Sequence, residues 1–469
     1  MIQAKKAIGF FVSFAFLVFG FFYFSSKGIE PFSDFALLEW QSKLAIQGIF
    51  HLPYNHAFED PNYSFFPLPN LFFQQTKGFA HSTFPNLYPI LISPILKLFG
   101  ISGVTIIHTF LFTIGIFLFH QIQKNVISTL LLLYGSTIPI YIFLFHETIF
   151  IFFLEISALY LFHKCQNIFA GMISALILWI RPEMSFVLII LPICFENKTQ
   201  TMRFYLSMAF CFSLLALGNL FLVDSLLPLR IAKNSDMSLR SENVFYLAKI
   251  WMEQVPIFIL FCFYFLKSLY LKEIKISNFL IIIVTMVMVF LAPNSGGHNT
   301  PRYLFGLVPL YVLLLNKEEK NPNPFFSYRW IFLITLISIY TICNLHFQMK
   351  ELKKISKFQS NTLSEIRKIK DSVIIFSNPD FAFVSLPLLE EKKDLLLLRK
   401  DFNSVDLANL LTKKNIKTFT FLELPPSPVV LPNNFRLPNC SQDCSFQRGE
   451  IHPLPNALLP ITQTSYKRN

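Results

Sequence analysis

Residues 168–195 read IFAGMISALILWIRPEMSFVLIILPICF. The dipeptide Arg181-Pro182 separates two apolar runs, 168–180 and 183–195. A helix needs about 17–25 residues to cross a bilayer, so neither run is long enough alone. The pair is therefore one long bent helix, or two short helices that meet at a polar turn.

The basic residues of the neighbouring loops decide between these alternatives. If two spans flank Arg181, one membrane face collects most of the loop lysines and arginines: Lys5, Lys6, Lys124, Lys164, Lys198, Arg203, Lys267, Lys272, Lys275, Lys317, Lys320 and Arg329. A single span would move the basic loops 196–203 and 266–277 to the other face. Short cytoplasmic loops are rich in Lys and Arg. The sequence therefore predicts two spans, with Arg181 on the outer side.

Apolar runs continue along most of the 469-residue chain. Only 14% of the residues are charged and 53% are hydrophobic, whereas a soluble domain carries about 25% charged residues. The runs are continuous and lack the period of two that a β-barrel shows. We therefore predict a polytopic α-helical membrane protein with about 11 transmembrane helices, at 7–24, 102–119, 126–145, 147–162, 168–180, 183–195, 204–223, 252–270, 278–292, 301–316 and 330–346.

The net charge of +12 does not indicate nucleic-acid binding, because most basic residues lie in short loops between apolar runs. Lys5 and Lys6 precede the first run, and Ser25-Ser26-Lys27 is a poor signal-peptidase site. We expect an uncleaved first span in the cell inner (plasma) membrane, with a cytoplasmic N-terminus.

The predicted domains are a transmembrane domain, 1–346, and an extracytoplasmic α/β domain, 347–469. The first contains an outer loop, 25–88, in which an amphipathic helix over 35–50 is expected to lie along the membrane surface. In the second, a helix at 405–411 and strands at 372–376, 395–398 and 417–422 indicate a small soluble α/β fold. The region from Pro425 onward is rich in Pro and Asn and is expected to be irregular.

Cys440 and Cys444 lie in that last region. In an oxidising compartment they are expected to form a small disulfide loop. Zinc binding by the pair is the less favoured alternative, because no second pair is nearby.

Asp34 follows the first span and begins the predicted helix of the outer loop. The ordinary structural explanation is a helix cap. The functional one is a carboxylate at the membrane boundary that accepts a proton from an acceptor hydroxyl. Glu59 and Asp60 follow in the same loop and are candidate substrate-binding acids. The His, Glu and Asp residues of this loop do not have the close spacing that metal ligands usually show. The presence of a divalent metal is therefore left open, and no cofactor is assigned.

Further polar residues interrupt apolar sequence at the predicted outer face: His146, Glu147, Arg181, His298, Arg302 and Tyr303. Two arginines near the boundary suit a phosphate, which guanidinium groups bind in bidentate fashion. The structural alternatives are that Arg181 pairs with Glu147 or Glu183, and that Arg302 reaches lipid headgroups. Glu155 and His108 lie inside spans, where helix–helix hydrogen bonds are the simpler explanation.

Five short motifs resemble the GT-C class of membrane glycosyltransferases, which includes protein mannosyltransferases and aminoarabinose transferases. The motifs are Ser33-Asp34 with its helix, Phe84-Pro85-Asn86-Leu87-Tyr88-Pro89, Arg181-Pro182-Glu183, Gly218-Asn219 with Leu227-Pro228-Leu229, and Pro301-Arg302-Tyr303-Leu304. The resemblance covers about residues 1–350. The sequence departs from the class in one respect, because Asp34 is followed by Phe35 instead of a second acid. Glu39, Glu59 or Asp60 is therefore a candidate for that second carboxylate.

The resemblance implies transfer of a sugar from a polyprenyl-phosphate donor to a lipid, glycan or protein acceptor at the outer face. Asp34 would be the general base, and Arg302, with Arg181, would neutralise the departing phosphate. His146, Glu147, Glu59, Asp60, His298 and Tyr303 would line the substrate pocket, and these polar groups are expected to converge on one cavity. The alternative from another class is a polytopic transporter or lipid-linked-saccharide flippase. It is disfavoured because the sequence has no clear internal repeat.

Overall fold

The computed structural model describes residues 29–195, 198–233, 241–272, 275–292, 302–315, 328–391, 393–427, 429–436, 445–455 and 459–468. The predicted first span, His298 and the Cys440–Cys444 pair lie outside these residues. The chain divides into two compact units. The helical unit comprises Met1–Lys27 and Leu98–Lys353, and the sheet unit comprises Gly28–Lys97 and Lys354–Asn469.

Helices and strands are numbered in chain order. The helices are α1 (Asp34–Ile46), α2 (Leu87–Gln123), α3 (Val126–Tyr134), α4 (Thr148–His163), α5 (Asn167–Ile180), α6 (Ser185–Ile190), α7 (Lys198–Val223), α8 (Leu229–Lys233), α9 (Ser241–Gln254), α10 (Ile257–Tyr270), α11 (Ile276–Leu291), α12 (Val308–Leu315), α13 (Tyr328–Arg367), α14 (Pro379–Val384) and α15 (Ser404–Lys413). The strands are β1 (Phe73–Thr76), β2 (Phe79–Ser82), β3 (Val373–Phe376), β4 (Asp394–Leu397), β5 (Thr418–Glu423), β6 (Asn434–Arg436), β7 (Ser445–Pro453) and β8 (Thr462–Arg468).

Three described helices, α2, α7 and α13, are long and apolar enough to cross a membrane, although the backbone of α2 is non-helical at Gly100 (φ 63°) and the helix is kinked there. A fourth crossing results if α9 and α10, which meet at an angle of 98°, form one broken span. The structure also describes shorter apolar helices of 10–17 residues, and α4, α5 and α11 are among them. The predicted count of eleven therefore stays a prediction.

The predicted spans 126–145 and 252–270 are not continuous helices. The first ends as an α-helix at Tyr134 and continues as a 3₁₀ turn over Ile138–Phe143, and the second is interrupted at Pro256. Proline lacks an amide hydrogen and clashes with the preceding turn, so it breaks the helix there.

The two breaks satisfy each other's backbone groups. The amide of Ile257 donates to the carbonyl of Gly135 (3.1 Å), and the amide of Thr137 donates to the carbonyl of Gln254 (2.9 Å). The Thr137 hydroxyl also donates to the Gln254 side-chain oxygen at 2.6 Å. Unpaired backbone groups are costly where water is absent, so non-helical segments persist there only when they are paired in this way.

The Arg181-Pro182 interruption is present as predicted. Helix α5 ends at Ile180, and a 3₁₀ turn over Pro182–Met184 leads into α6. The apolar run that begins at residue 183 is not one continuous α-helix, because a second 3₁₀ segment over Leu191–Phe195 follows α6.

Helices α5 and α7 pack closely because Gly171 has no side chain. A methyl group at this position would overlap the carbonyl oxygen of Phe204 and the hydroxyl oxygen of Ser207. Small residues allow helix backbones to approach in this way, and the resulting van der Waals contact stabilises the pair.

We predict that Gly171→Ala lowers the free energy of unfolding by about 1–3 kcal/mol, because the added methyl group forces the two backbones apart. Gly218→Ala is the matched control, since Gly218 lies in α7 and faces open space. Thermal unfolding in detergent micelles would compare the two variants. Equal midpoints would show that the close approach at Gly171 contributes nothing.

The sheet unit contains a six-stranded sheet in the order β4-β3-β5-β8-β7-β6. Strand β3 pairs in parallel with β4 and β5, and the remaining pairs are antiparallel. All four residues of β3 are buried, as expected for a parallel strand covered on both faces. The predicted strands at 372–376, 395–398 and 417–422 coincide with β3, β4 and β5. The expectation of irregular structure after Pro425 was wrong, because β6, β7 and β8 lie there.

The first loop packs into this sheet unit. Phe65 is part of the hydrophobic cluster formed by one face of the sheet and α15. Its carbonyl accepts from the amide of Leu397 (2.9 Å). The Arg399 guanidinium donates to the carbonyl oxygens of Phe66 (3.2 Å) and Leu68 (3.1 Å). Residues more than 300 positions apart therefore share one core.

Candidate functional site

A buried polar cluster in the helical unit forms where helices end or break. His146 and Glu147 directly precede α4, and Arg181 follows the last residue of α5. Arg302 lies in the turn before α12. His146, Glu147, Arg181 and Arg302 expose no more than 8% of their surface. The structure thus brings together four of the residues predicted from the sequence.

Glu147 and Arg181 form the central ion pair. One carboxylate oxygen of Glu147, Oε1, accepts from Nη2 of Arg181 at 2.9 Å and from Nε at 3.1 Å. On the other side of the guanidinium, Nη1 of Arg181 donates to Glu183 at 3.1 Å. The predicted structural alternative for Arg181 is therefore realised, with both acids at once.

His146 connects two of the arginines. Its Nε2 lies 3.0 Å from Nη1 of Arg302 and 3.3 Å from Nη2 of Arg181. The same Nε2 also lies 3.3 Å from Oε2 of Glu147. The Nδ1 of His146 lies 2.7 Å from the hydroxyl oxygen and 3.2 Å from the amide nitrogen of Thr148.

Arg230 is a third arginine of the cluster, and the sequence analysis missed it. Its Nη1 lies 3.9 Å from Oε1 of Glu147, and its guanidinium carbon lies 5.9 Å from the ring centre of Tyr303. The signal was present in the sequence, because Arg230 directly follows the Leu227-Pro228-Leu229 motif.

The part of the cluster that the structure describes contains more basic than acidic side chains. It holds three guanidinium groups, Arg181, Arg230 and Arg302, and two carboxylates, Glu147 and Glu183. Charges in a poorly hydrated environment interact more strongly than charges in water. Such an arrangement favours a bound anion, and planar guanidinium groups suit phosphate oxygens.

Asp34 belongs to the sheet unit and is the first residue of α1. Ser33 precedes it with a φ of 50°, a backbone conformation that non-glycine residues rarely adopt. Two contacts from the C-terminal half of α13 hold this segment. The amide of Ser33 donates to Gln359 Oε1 (3.2 Å), and the amide of Glu30 donates to the Ser356 hydroxyl (2.8 Å).

Asp34 lines a cavity of about 350 Å³ within the sheet unit. Polar groups from Ser33, Gln359, Asn378 and Asp380 share this cavity. Its apolar wall is formed largely by four phenylalanines, Phe72, Phe358, Phe381 and Phe383. Carboxylates and amides beside aromatic rings can hold a polar molecule that also has apolar faces.

The helix that carries Asp34 is shorter than predicted. It ends at Ile46, and Gly48 follows with a φ of 74°. Glu39, a candidate second acid, forms an ion pair with Lys43 at 3.1 Å. Burial raises the pKa of Glu39, and the adjacent Lys43 ammonium partly opposes the rise.

Glu59 and Asp60 have structural partners. Asp60 accepts from the Tyr54 hydroxyl (2.8 Å) and from the amides of Ser64 (2.9 Å) and Phe65 (2.8 Å). Burial, with Asp60 beside it, holds the pKa of the Tyr54 phenol well above its usual value. Glu59 pairs with Lys414 at 3.2 Å. Neither acid lines the Asp34 cavity, so these contacts favour roles in positioning the first loop.

We predict that Asp60→Ala lowers the thermal unfolding midpoint because it leaves two backbone amides without their acceptor, at a cost of about 2–4 kcal/mol. Glu450→Ala, at an exposed residue of β7, is the control and should change stability little. Unchanged stability combined with a raised KM for a substrate would instead place Asp60 in the binding site.

No group of three or more His, Cys, Asp or Glu side chains that could hold a metal ion occurs among the residues that the structure describes. A divalent metal is therefore left open, as it was in the sequence analysis.

Comparison with known proteins identifies a shared fold. The chain aligns with the crystal structure of ArnT from Cupriavidus metallidurans bound to undecaprenyl phosphate, with a TM-score of 0.56 and 11% sequence identity over 98% of each chain. No family model and no curated protein matches the sequence. The predicted resemblance to the GT-C class is therefore confirmed at the level of the fold, which is that of a polytopic helical membrane protein.

Proposed function

We propose that the protein is a membrane glycosyltransferase that transfers a sugar from a polyprenyl-phosphate donor to a hydroxyl or amine of a lipid, glycan or protein acceptor. The observation that carries this proposal is the gathering of three arginines, Arg181, Arg230 and Arg302, around His146 and Glu147 in the helical unit. The fold supports it, because the ArnT structure of that fold is bound to undecaprenyl phosphate.

The arginine cluster suits the phosphate end of the donor. A phosphodiester carries one negative charge, and guanidinium groups bind its oxygens in bidentate fashion. When the sugar leaves, negative charge develops on the departing phosphate oxygen, and fixed donors around that oxygen stabilise the transition state. The imidazole of His146 lies between two of these guanidinium groups, with Nε2 3.0 Å from Arg302 and 3.3 Å from Arg181.

Asp34 is the proposed general base. Its carboxylate would take the proton of the acceptor hydroxyl or amine while the acceptor atom attacks the anomeric carbon. The bond from that carbon to the phosphate oxygen breaks, the lipid phosphate leaves, and the configuration inverts. The aromatic wall of the Asp34 cavity suits the apolar faces of a sugar or lipid acceptor.

The proposal includes an orientation in the cell inner membrane. The N-terminus is cytoplasmic, and residues 347–469, the first loop and Asp34 lie on the outer side. The positive-inside distribution of loop lysines and arginines supports this orientation.

We predict that Asp34→Asn reduces transfer by a factor of about 10²–10⁴, because the amide cannot accept the proton of the acceptor. The measurement is formation of glycosylated acceptor from a polyprenyl-phosphate sugar in reconstituted membranes. Asp406→Asn, at an exposed residue of α15, is the control. Binding of polyprenyl phosphate should be the same in all three proteins. Retained turnover in Asp34→Asn would remove Asp34 as the base.

The same assay separates a transferase from a flippase. A flippase moves the lipid-linked saccharide across the bilayer without forming a new glycosidic bond. Translocation that persists in Asp34→Asn, with no glycosylated product from the wild type, would favour the transport alternative.

We also predict that Arg302→Ala and Arg230→Ala each raise the Kd for polyprenyl phosphate about 10–100-fold, because each removes a charged hydrogen-bond donor worth about 1.5–3 kcal/mol. Arg302→Lys should recover only part of the affinity, since lysine cannot bind in bidentate fashion. Arg367→Ala is the control, because Arg367 pairs with Glu391 at an exposed site of the sheet unit. Unchanged affinity in both cluster variants would leave the arginines as structural ion-pair partners.

A further inference from the structure

A buried acid of α4 lies beside the arginine cluster without a role in the mechanism above. Glu155 exposes 1% of its surface, and its Oε1 has no hydrogen-bond partner among the residues that the structure describes. The helix–helix hydrogen bond expected from the sequence is therefore not formed by this atom. Ionisable residues inside membrane segments are costly, and they are usually retained for function.

One face of α4 turns Glu155 toward the cluster. Thr148, Ile151, Phe152 and Glu155 recur at the spacing of a single helix face, and all four line one small cavity. Arg181, Glu183 and Arg302 line the same cavity. Glu155 and two of the arginines assigned to the phosphate thus face the same space.

The cavity holds very little. Its volume of about 20 Å³ is enough for a single water molecule or one oxygen atom of a ligand. Apolar side chains, including Met184 and Phe305, form much of the lining. A sugar ring does not fit, whereas an oxygen of a phosphate held at the cavity mouth would fit.

The state of the Glu155 carboxyl follows from this environment. Glu155 is almost fully buried and its Oε1 accepts no hydrogen bond from the described residues, and such burial favours the uncharged acid. The uncharged acid carries an O–H donor. Glu183 differs, because its carboxylate pairs with Arg181 at 3.1 Å.

We propose that Glu155 is a positioning residue for the donor phosphate: its carboxylic O–H donates to a phosphate oxygen, directly or through the one water that the cavity admits. This inference rests on the proposed function. A neutral acid adds a third donor beside Arg181 and Arg302 without adding the negative charge that would repel the ligand. No bond is made or broken at Glu155.

The test compares Glu155→Gln with Glu155→Leu in the full-length protein. The amide of Gln keeps a donor at this position, and Leu fills a similar volume without one. The probe is a short-chain polyprenyl phosphate, and its Kd is measured in detergent by calorimetry. We expect Glu155→Leu to raise the Kd about tenfold, the loss of one hydrogen bond to a charged group, and Glu155→Gln to stay within about threefold of the wild type.

The pH dependence supplies a readout that a packing role would not change. The charged groups that line the cavity with Glu155 are Arg181, Glu183 and Arg302, and all three are present in both variants. Wild-type binding should weaken relative to Glu155→Gln as the pH rises, because ionised Glu155 no longer donates, whereas Gln does not titrate.

The outcomes separate this inference from the proposed function. Absence of wild-type binding would contradict the proposed function itself. Wild-type binding with an unchanged Kd in Glu155→Leu, or with Glu155→Gln as weak as Glu155→Leu, would overturn the role of Glu155 alone. Thermal unfolding of each variant verifies that it is folded, and a Leu variant that is stable but binds weakly supports the inference.

Discussion

The buried ion pair between Glu147 and Arg181 sets the electrostatics of the helical unit. Placing two charges in a poorly hydrated interior is expensive unless their remaining donors and acceptors are used. Here Glu183 and His146 occupy the other donors of Arg181. The neighbouring arginines, Arg230 and Arg302, place two further guanidinium groups beside this pair.

Helix breaks make this cluster possible. A continuous helix satisfies its own backbone and presents few groups to a ligand, whereas a broken one exposes polar groups that must find partners. The breaks at Gly135 and Pro256 pair with each other through backbone hydrogen bonds, and His146 and Glu147 follow in the segment that leads to α4. The break at Pro182 places Arg181 at the end of α5, where it contacts Glu147. Broken segments and buried charge are therefore parts of one arrangement.

The features that could be predicted from the sequence are those that depend only on residues close together in the chain. The Arg181-Pro182 interruption and strands β3 to β5 follow from apolar runs and their ends. Pro256 also marks a break, but its pairing with Gly135 is a long-range contact that no local pattern encodes. Strands β6 to β8 were not predicted because their composition resembles that of loops. Antiparallel pairing, not intrinsic propensity, holds them in the sheet, since β8 pairs with β5, β7 with β8 and β6 with β7.

Candidate site residues were harder to separate from structural ones, because acids and arginines serve both purposes. Asp60 and Asp34 lie in the same loop, yet the oxygens of Asp60 are taken up by a tyrosine and two amides, while Asp34 lines a cavity. Arg230 was overlooked because it sits in a helix of only five residues, where a single charge looks like an ordinary surface residue.

The attachment of the first loop to the C-terminal segment gives Asp34 a defined position. A general base is effective only when its carboxylate is held within hydrogen-bonding reach of the proton that it removes. Loops are mobile unless other elements fix them, and α1 begins in such a loop. The contacts from Ser356 and Gln359 to residues 30 and 33 fix the start of α1 from a helix more than 300 residues away, and the unusual φ of Ser33 is maintained by that framework. The position of the proposed catalytic carboxylate therefore depends on the C-terminal segment.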